Sequence, residues 1–213
     1  MSRIKIMLVD DHAVVRAGFK MLLTTDDRMD VVGEAERGEQ AIQMYQELKP
    51  DIVVMDLSMP GIGGLETIRR IVQRDTAALI LVFSIYQEQV YVSRALSAGA
   101  KGYITKNTAP EILIEAIGAI LQGNTYVEAG LLKEGRGEHN PGDYQAVIAT
   151  FSPREFDVFN LLAHGLTVHH IADQLCLGSK TVANYATQIK KKLQVNTTAE
   201  LAHIAVSLGV VMR

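Results

Sequence analysis

Tryptophan is absent from this sequence, cysteine occurs once, and only 5 of its 213 residues are proline. A single thiol, Cys176, excludes an internal disulfide and with it the small folds that disulfides hold together. It fits a reducing compartment, and the cytoplasm is the expected location. Cys176 sits in the apolar stretch Leu175-Cys176-Leu177, which predicts a packed thiol rather than a reactive one. No uninterrupted apolar run reaches the length that spans a bilayer, so no membrane partner is expected. The apolar opening at residues 4–9 is cut by Asp10-Asp11, and a secretory leader is not expected either. Internal repeats and low-complexity tracts are missing, as is a strong excess of one charge: 21 basic against 24 acidic residues leave −3. The balance is nevertheless uneven. Residues 150–213 hold six Lys/Arg and four Asp/Glu, for +2, whereas the remainder carries −5. An acidic first part and a mildly basic second part suggest separate partners.

What is present is 48% apolar residues in two distinct periodicities. Through residue 122, short runs rich in Val, Ile, Leu and Met (4–9, 31–33, 52–55, 79–83 and 102–104) alternate with helical patterns. Val15, Phe19, Leu22 and Leu113, Ile117, Ile120 are examples of the latter. Thr108-Ala109-Pro110-Glu111 predicts a capping box, with proline inside the first turn of the last of these helices. Five such βα units predict an α/β fold, a doubly wound five-stranded parallel sheet with helices on both faces. Residues 135–142 lack apolar periodicity and read as flexible linker; residues 126–133 before them read as a short helix. From Ser152 the pattern is wholly helical. It opens with a capping box, Ser152-Pro153-Arg154-Glu155, and predicts helices at about 153–163, 168–175, 179–193 and 197–208. The expected organisation is an α/β domain over 1–122, a linker over 123–149 and a small all-α four-helix domain over 150–213.

In a parallel doubly wound sheet, functional groups gather at the carboxyl ends of the strands. Asp10 and Asp11 follow the first strand, and Asp56 follows the third. Like charges about 4 Å apart repel by about 4 kcal/mol at an effective dielectric of about 20. Such a cluster therefore needs a cation or raised carboxyl pKa values. A few carboxylates with room for water and phosphate oxygens suit Mg2+ better than Ca2+. Ser84 closes the fourth strand with a hydroxyl, and Lys106 follows the fifth with a fixed positive charge. Carboxylate, metal, hydroxyl and ammonium together make a site for phosphoryl transfer, where alignment and charge stabilisation carry the chemistry. Taken singly, each residue has an ordinary reading: Asp11 caps the helix beginning near Ala13, Ser84 is a turn residue, Lys106 is solvated, and His12 is a polar surface residue. Four strand ends with matched chemistry favour the joint reading.

These residues, in the form Asp10-Asp11, Asp56-Leu57-Ser58-Met59-Pro60 with Gly64, Ser84, and Lys101-Gly102-Tyr103-Ile104-Thr105-Lys106, resemble the receiver domain of two-component response regulators over about residues 3–122. The resemblance implies that Asp56 accepts a phosphoryl group from a cognate histidine kinase. It implies Mg2+ held by Asp11, Asp56 and the Ser58 carbonyl, with Asp10 acting through water. Lys106 would pair with the phosphoryl oxygens and Ser84 would hydrogen-bond to them, while Tyr103 is similar to the switch aromatic that turns inward as Ser84 moves. Ile85 stands where many receivers carry a smaller residue, and its bulk is expected to restrict small phosphodonors. Ser58 and Tyr86 stand at positions that tune phosphoryl lifetime.

In the helical part, Val182, Ile189 and Leu193, with Ala186 between, supply a buried stripe, while Lys180, Asn184, Thr187, Gln188 and Lys191 share another face. Preceded by a short helix and a tight turn, this is a helix-turn-helix pattern. Lysines would contact phosphates, and Asn and Gln would read base edges. A solvated polar face on a core helix has the same pattern. The wider set, Ser152–Glu155, Ala163-His164-Gly165-Leu166-Thr167, Ile171-Ala172-Asp173-Gln174-Leu175, Lys180-Thr181-Val182 and Ile189-Lys190-Lys191-Lys192-Leu193-Gln194-Val195, resembles the LuxR-type output domain. Joined to a receiver, it is similar to the NarL/FixJ family. This implies DNA as partner, contacts from Lys190, Lys191 and Lys192, a homodimer when phosphorylated, and control of transcription, with no enzymatic activity beyond the receiver's own phosphoryl transfer. The last helix, with Leu201, Ile204, Ala205 and Leu208 mostly in the core, would offer its exposed edge to the dimer. Ala183 and Tyr185 stand where the family usually has Lys and His, Thr187 and Thr198 where basic residues are frequent, and Gly178 where a Ser cap is usual. Two other readings stay open. A phosphatase with an Asp nucleophile would commonly place a second Asp at position 58, and no Gly-rich phosphate loop follows the first strand. A regulator that works without phosphate, or binds protein, is compatible with Ala183 and Thr187.

Overall fold

β-branched and long aliphatic side chains favour the pleated, half-buried surface of a sheet, and the predicted runs pair into one. The computed structural model describes residues 3–131 and 144–211, which build two compact units. The first alternates β1 (Ile4–Val9), α1 (Ala13–Leu23), β2 (Met29–Ala35), α2 (Gly38–Leu48), β3 (Ile52–Met55), α3 (Gly63–Arg74), β4 (Ile80–Ser84), α4 (Gln89–Ser97), β5 (Gly102–Thr105), α5 (Pro110–Leu121) and β6 (Tyr126–Val127). The order across the sheet is β2-β1-β3-β4-β5-β6, and each pairing is parallel. Ile6, Leu8, Ile52, Val54, Leu81, Phe83 and Ile104 pack with Leu23 of α1 and with Leu113, Ala116, Ile117 and Ile120 of α5. Val15, Phe19 and Leu22 lie against that cluster. The intervening residues of each strand, such as Met7, Val53 and Met55, are buried on the other face, as the period of two requires.

Among the described residues the sheet has six strands, not five. Residues 126–127, read as part of a helix, add a strand beside β5 instead, because an unpaired sheet edge offers backbone partners that a short isolated helix lacks. The expected linker over 123–149 therefore holds this strand and a helix, α6 (Tyr144–Ala149); its proposed flexible part at 135–142 lies outside the described residues. The capping box at Thr108 does not form. Ala109 caps α5 without a side-chain bond, and the Thr108 hydroxyl donates to Glu128 instead.

Gly64 brings α3 against the third strand end. A Cβ there would lie 2.1 Å from the Asp56 carbonyl oxygen and 2.6 Å from Leu57 Cα. Both are backbone atoms, which cannot swing aside.

The helical unit contains α6, α7 (Pro153–Ala163), α8 (Val168–Gln174), α9 (Ser179–Leu193) and α10 (Thr198–Ser207). Val182, Ile189 and Leu193 of α9 are buried with Phe156 and Phe159 of α7 and Leu201 and Ala205 of α10; Ala186 is only half-buried. The predicted box at α7 is complete: Glu155 N–H donates to Ser152 Oγ, and Ser152 N–H to Glu155 Oε2. A second box, Thr197 with Glu200, starts α10. Cys176 departs from expectation. It is exposed and left-handed, with φ of 52°, and its N–H closes onto the Asp173 carbonyl. This backbone geometry ends α8 in the manner usually given to glycine and turns the thiol outward, while Leu175 takes the core position.

Lys192 Nζ lies 2.6 Å from Glu155 Oε1 and 5.5 Å from the centroid of the Phe151 ring. Burial alone would push the Glu155 carboxyl up, but the bonds from Lys192 and Ser152 outweigh it and hold the carboxyl below its ordinary 4.5. A depressed carboxyl stabilises the fold above its unfolded pKa and loses that contribution as pH falls through the folded value. The helical unit is therefore expected to lose stability below about pH 4.5. Glu155→Gln should cost about 1–3 kcal/mol at pH 7 and flatten that acid limb in denaturant titrations. Gly64→Ala should cost the α/β unit about 1–3 kcal/mol, read as a lowered denaturation midpoint; an unchanged midpoint would contradict the close approach.

Candidate acidic metal centre and nucleic-acid interface

The parallel ladders run on past the strands and set the loops that carry charge. Asp10 N–H donates to the Ala35 carbonyl, Asp56 N–H to the Val9 carbonyl and Lys106 N–H to the Ser84 carbonyl. Side chains from three strand ends consequently meet. Lys106 Nζ lies 2.6 Å from Asp10 Oδ2 and 2.8 Å from Asp56 Oδ2. Asp56 is 2% exposed, and burial pushes its carboxyl up to about 6 against the opposing pull of Lys106. Burial would lower the Lys106 ammonium, yet Asp56 and Asp10 outweigh it and raise its pKa above the ordinary value. The site therefore sets a charged ammonium between the carboxyl groups of Asp56 and Asp10.

Asp11 does not cap α1. His12 is the cap residue and makes no side-chain cap bond; its N–H donates to Asp10 Oδ1 at 2.9 Å. Asp11 Oδ1 is shielded from solvent and accepts no hydrogen bond, although His12 Nδ1 stands 2.9 Å away. One ligand atom from each of Asp10, Asp11, His12 and Asp56 falls within 4.8 Å of the others. A cluster of three carboxylates converging at one place fits a hard divalent cation. His12, expected at the surface, is exposed yet has its Nδ1 beside both Asp10 and Asp11.

Ser58 N–H donates to Asp56 Oδ1 at 3.2 Å. Ser84 is wholly buried, and its Oγ accepts from Tyr86 N–H at 3.4 Å. Tyr103 is likewise buried, already turned inward, with its hydroxyl donating to the Tyr86 carbonyl at 2.8 Å. The Tyr86 ring stacks on Tyr91 with centroids 4.1 Å apart. Ile85 is 56% exposed.

Two residues escaped the sequence reading. Arg16 of α1 is buried, donating to the Asp10 carbonyl at 2.6 Å and to Glu36 Oε1 at 2.7 Å. A cation inside the apolar run Val14-Val15-Arg16-Ala17 was its available signal. Glu128 follows β6 and bonds to Thr105 and Thr108; with β6 unread, no periodicity could have revealed it.

In the helical unit, α8, the turn at Cys176 and α9 form the expected helix-turn-helix. Lys180, Asn184, Thr187, Gln188 and Lys191 are all exposed on α9, although the Thr187 hydroxyl is engaged by the Ala183 carbonyl. Lys190 is half-buried. Lys192 is exposed as well, and its ammonium pairs with Glu155 of α7 within the unit. His169 and His170 are exposed, as expected. Among the described residues, no helix is long and apolar enough to cross a membrane.

Two family models match the chain: the response regulator receiver domain over residues 6–118, and the luxR family of bacterial regulatory proteins over residues 149–205. The transcriptional activator protein ExaE of Pseudomonas putida is 42% identical over 206 residues, 96% of each chain. Response regulator GacA of Pseudomonas aeruginosa is 35% identical over 209 residues, 98% of each chain. Among solved structures, Salmonella typhimurium RcsB is 26% identical with a TM-score of 0.71, covering 98% of this chain and 99% of that one. The same regulator bound to a promoter in the presence of the phosphomimetic BeF3− gives a TM-score of 0.68, covering 99% of this chain and 100% of that one. With an acidic pocket at the strand ends of one unit and a helix-turn-helix in the other, this chain belongs to the NarL/FixJ family of response regulators.

Proposed function

We propose that phosphorylation of Asp56 by a histidine kinase shifts this transcription regulator toward a DNA-bound homodimer. The observation that carries the reading is the buried Asp56 carboxylate bridged by Lys106 to Asp10, beside the shielded Asp11 oxygen that His12 Nδ1 approaches at 2.9 Å. In the transfer, an Asp56 oxygen forms a bond to phosphorus while the bond from phosphorus to the donor's imidazole nitrogen breaks. The electron pair stays on that nitrogen. An Asp56 carboxyl raised to about 6 is mostly ionised at neutral pH and more basic than an ordinary aspartate, which suits a nucleophile. Lys106 holds Asp56 in place and is poised to neutralise the transferred phosphoryl oxygens. Asp11, Asp56 and the Ser58 carbonyl would hold Mg2+, with Asp10 acting through water. When bound, the ion supplies charge neutralisation and orients the donor's oxygens.

The output follows from the same groups. Ser84 and Tyr103 both bond to the backbone of Tyr86, so a Ser84 hydroxyl drawn toward a phosphoryl group would release a tether on that loop. A ligand or modification that favours one of two arrangements shifts their populations. Lys180 and Lys191 would contact phosphates, with Lys190 adjacent, and Asn184 and Gln188 would read base edges; Thr187 offers its methyl group and a hydroxyl oxygen. The RcsB complex with a promoter in the presence of BeF3− supports DNA binding by the activated form. We place the functional domains at about 1–122 and 150–213, acting in the cytoplasm where a single exposed thiol persists unpaired.

Three outcomes check the proposal. Mg2+ binding by calorimetry should weaken by at least about tenfold in Asp11→Asn. BeF3− with Mg2+ should tighten operator binding of the wild-type chain and have no effect on Asp56→Asn. Lys191→Ala should weaken DNA binding and reduce the salt slope by about 1. If neither Asp56→Asn nor Lys191→Ala alters binding, the reading fails.

A further inference from the structure

β6 is two residues long, yet the chain after it is held firmly to β5. Tyr126 N–H donates to the Lys101 carbonyl and Glu128 N–H to the Tyr103 carbonyl. The Glu128 carboxylate then reaches over the turn between β5 and α5. Its Oε2 accepts from Thr105 N–H at 2.7 Å, and its Oε1 accepts from the Thr108 hydroxyl. Thr108 N–H closes the turn onto the Thr105 carbonyl at 3.2 Å, so one carboxylate grips both ends of a four-residue turn. Lys106 is the second residue of that turn.

This grip matters because of what Lys106 must do. Its flexible stem has to present an ammonium to two carboxylates at once, and a long side chain loses up to about 2 kcal/mol of rotamer freedom when held. A mobile backbone origin would add to that cost and blur the ammonium's position. Thr108 is free to serve the clamp because it does not cap α5.

We propose that Glu128 is a positioning residue for phosphoryl transfer, acting on Asp56 through the Lys106 turn. The inference rests on Asp56 being the phosphoacceptor. Glu128 also stands where the chain leaves the sheet, so the carboxylate that places the lysine fixes the start of the connection to the helical unit.

The test uses the full-length chain with Mg2+ and acetyl phosphate, following acyl phosphate formation on Asp56 by intact-mass measurement. An Asp56 oxygen bonds to phosphorus as acetate departs with the electron pair of the broken phosphorus–oxygen bond. Misplacement of a charged group by about 1 Å can cost up to about a hundredfold in rate; Glu128→Ala is expected to slow formation about tenfold and Thr108→Val about threefold. Glu128→Gln should stay within about twofold of wild type, because its amide oxygen can accept from Thr105 N–H while its NH2 donates to the Thr108 oxygen. In a Lys106→Ala background, Glu128→Ala should add no further loss. The proposal is overturned if Glu128→Ala reacts at the wild-type rate, or if its loss is undiminished without Lys106. If Lys106→Ala itself is silent, or Asp56→Asn still becomes phosphorylated, the phosphoacceptor reading falls and takes the proposal with it.

Discussion

The α/β unit is organised around one electrostatic contact, the ammonium of Lys106 set between the carboxylates of Asp56 and Asp10. Two buried acids this close would repel strongly, and removing one partner of a buried pair leaves a charge that is expensive to hold. The surrounding architecture keeps the three groups in register. Ladder bonds extend one residue past the strands at Asp10, Asp56 and Lys106. Gly64 lets α3 press against the Asp56 backbone, and Arg16 ties the Asp10 carbonyl to the loop after β2. Because the strands are parallel, all of these loops open on the same edge of the sheet, and the order reversal between β1 and β3 leaves space there for a ligand.

Such a contact can be strong and still poised. Asp56 keeps a raised carboxyl because burial works against its charge, while Lys106 works for it. A divalent cation beside Asp11 would favour the same ionised form. Ser84 and Tyr103 both hydrogen-bond to the backbone of Tyr86, whose ring stacks on the buried Tyr91.

Along α9, neighbouring lysines serve opposite purposes. Lys191 faces solvent with Lys180, Asn184 and Gln188, whereas Lys192, about 100° further round the helix, locks onto Glu155 and the capping box of α7. The basic run at 190–192 is therefore divided between a lysine open to solvent and one paired with an acid of its own unit. Composition counts three equivalent charges there; the helical period separates them.

Much of this was legible in the residues themselves. Period-two and period-3.6 apolar patterns placed five strands and the main helices, because local periodicity must match the face that is buried. Acids and a lysine at strand ends marked the pocket, since parallel topology brings such ends together. Other features depended on partners distant in the chain. β6 exists because β5 offers a free edge, Thr108 abandons its cap for Glu128, Cys176 turns outward because α8 must end, and Arg16 is buried because an acidic loop and a carbonyl await it. Sequence by itself determined which segments could bury an apolar face and which chemistries stood at their ends, for these follow from periodicity over a few residues. Tertiary structure alone decided which charged groups meet, because a hydrogen bond or ion pair requires separations of about 3 Å that no pattern along the chain specifies.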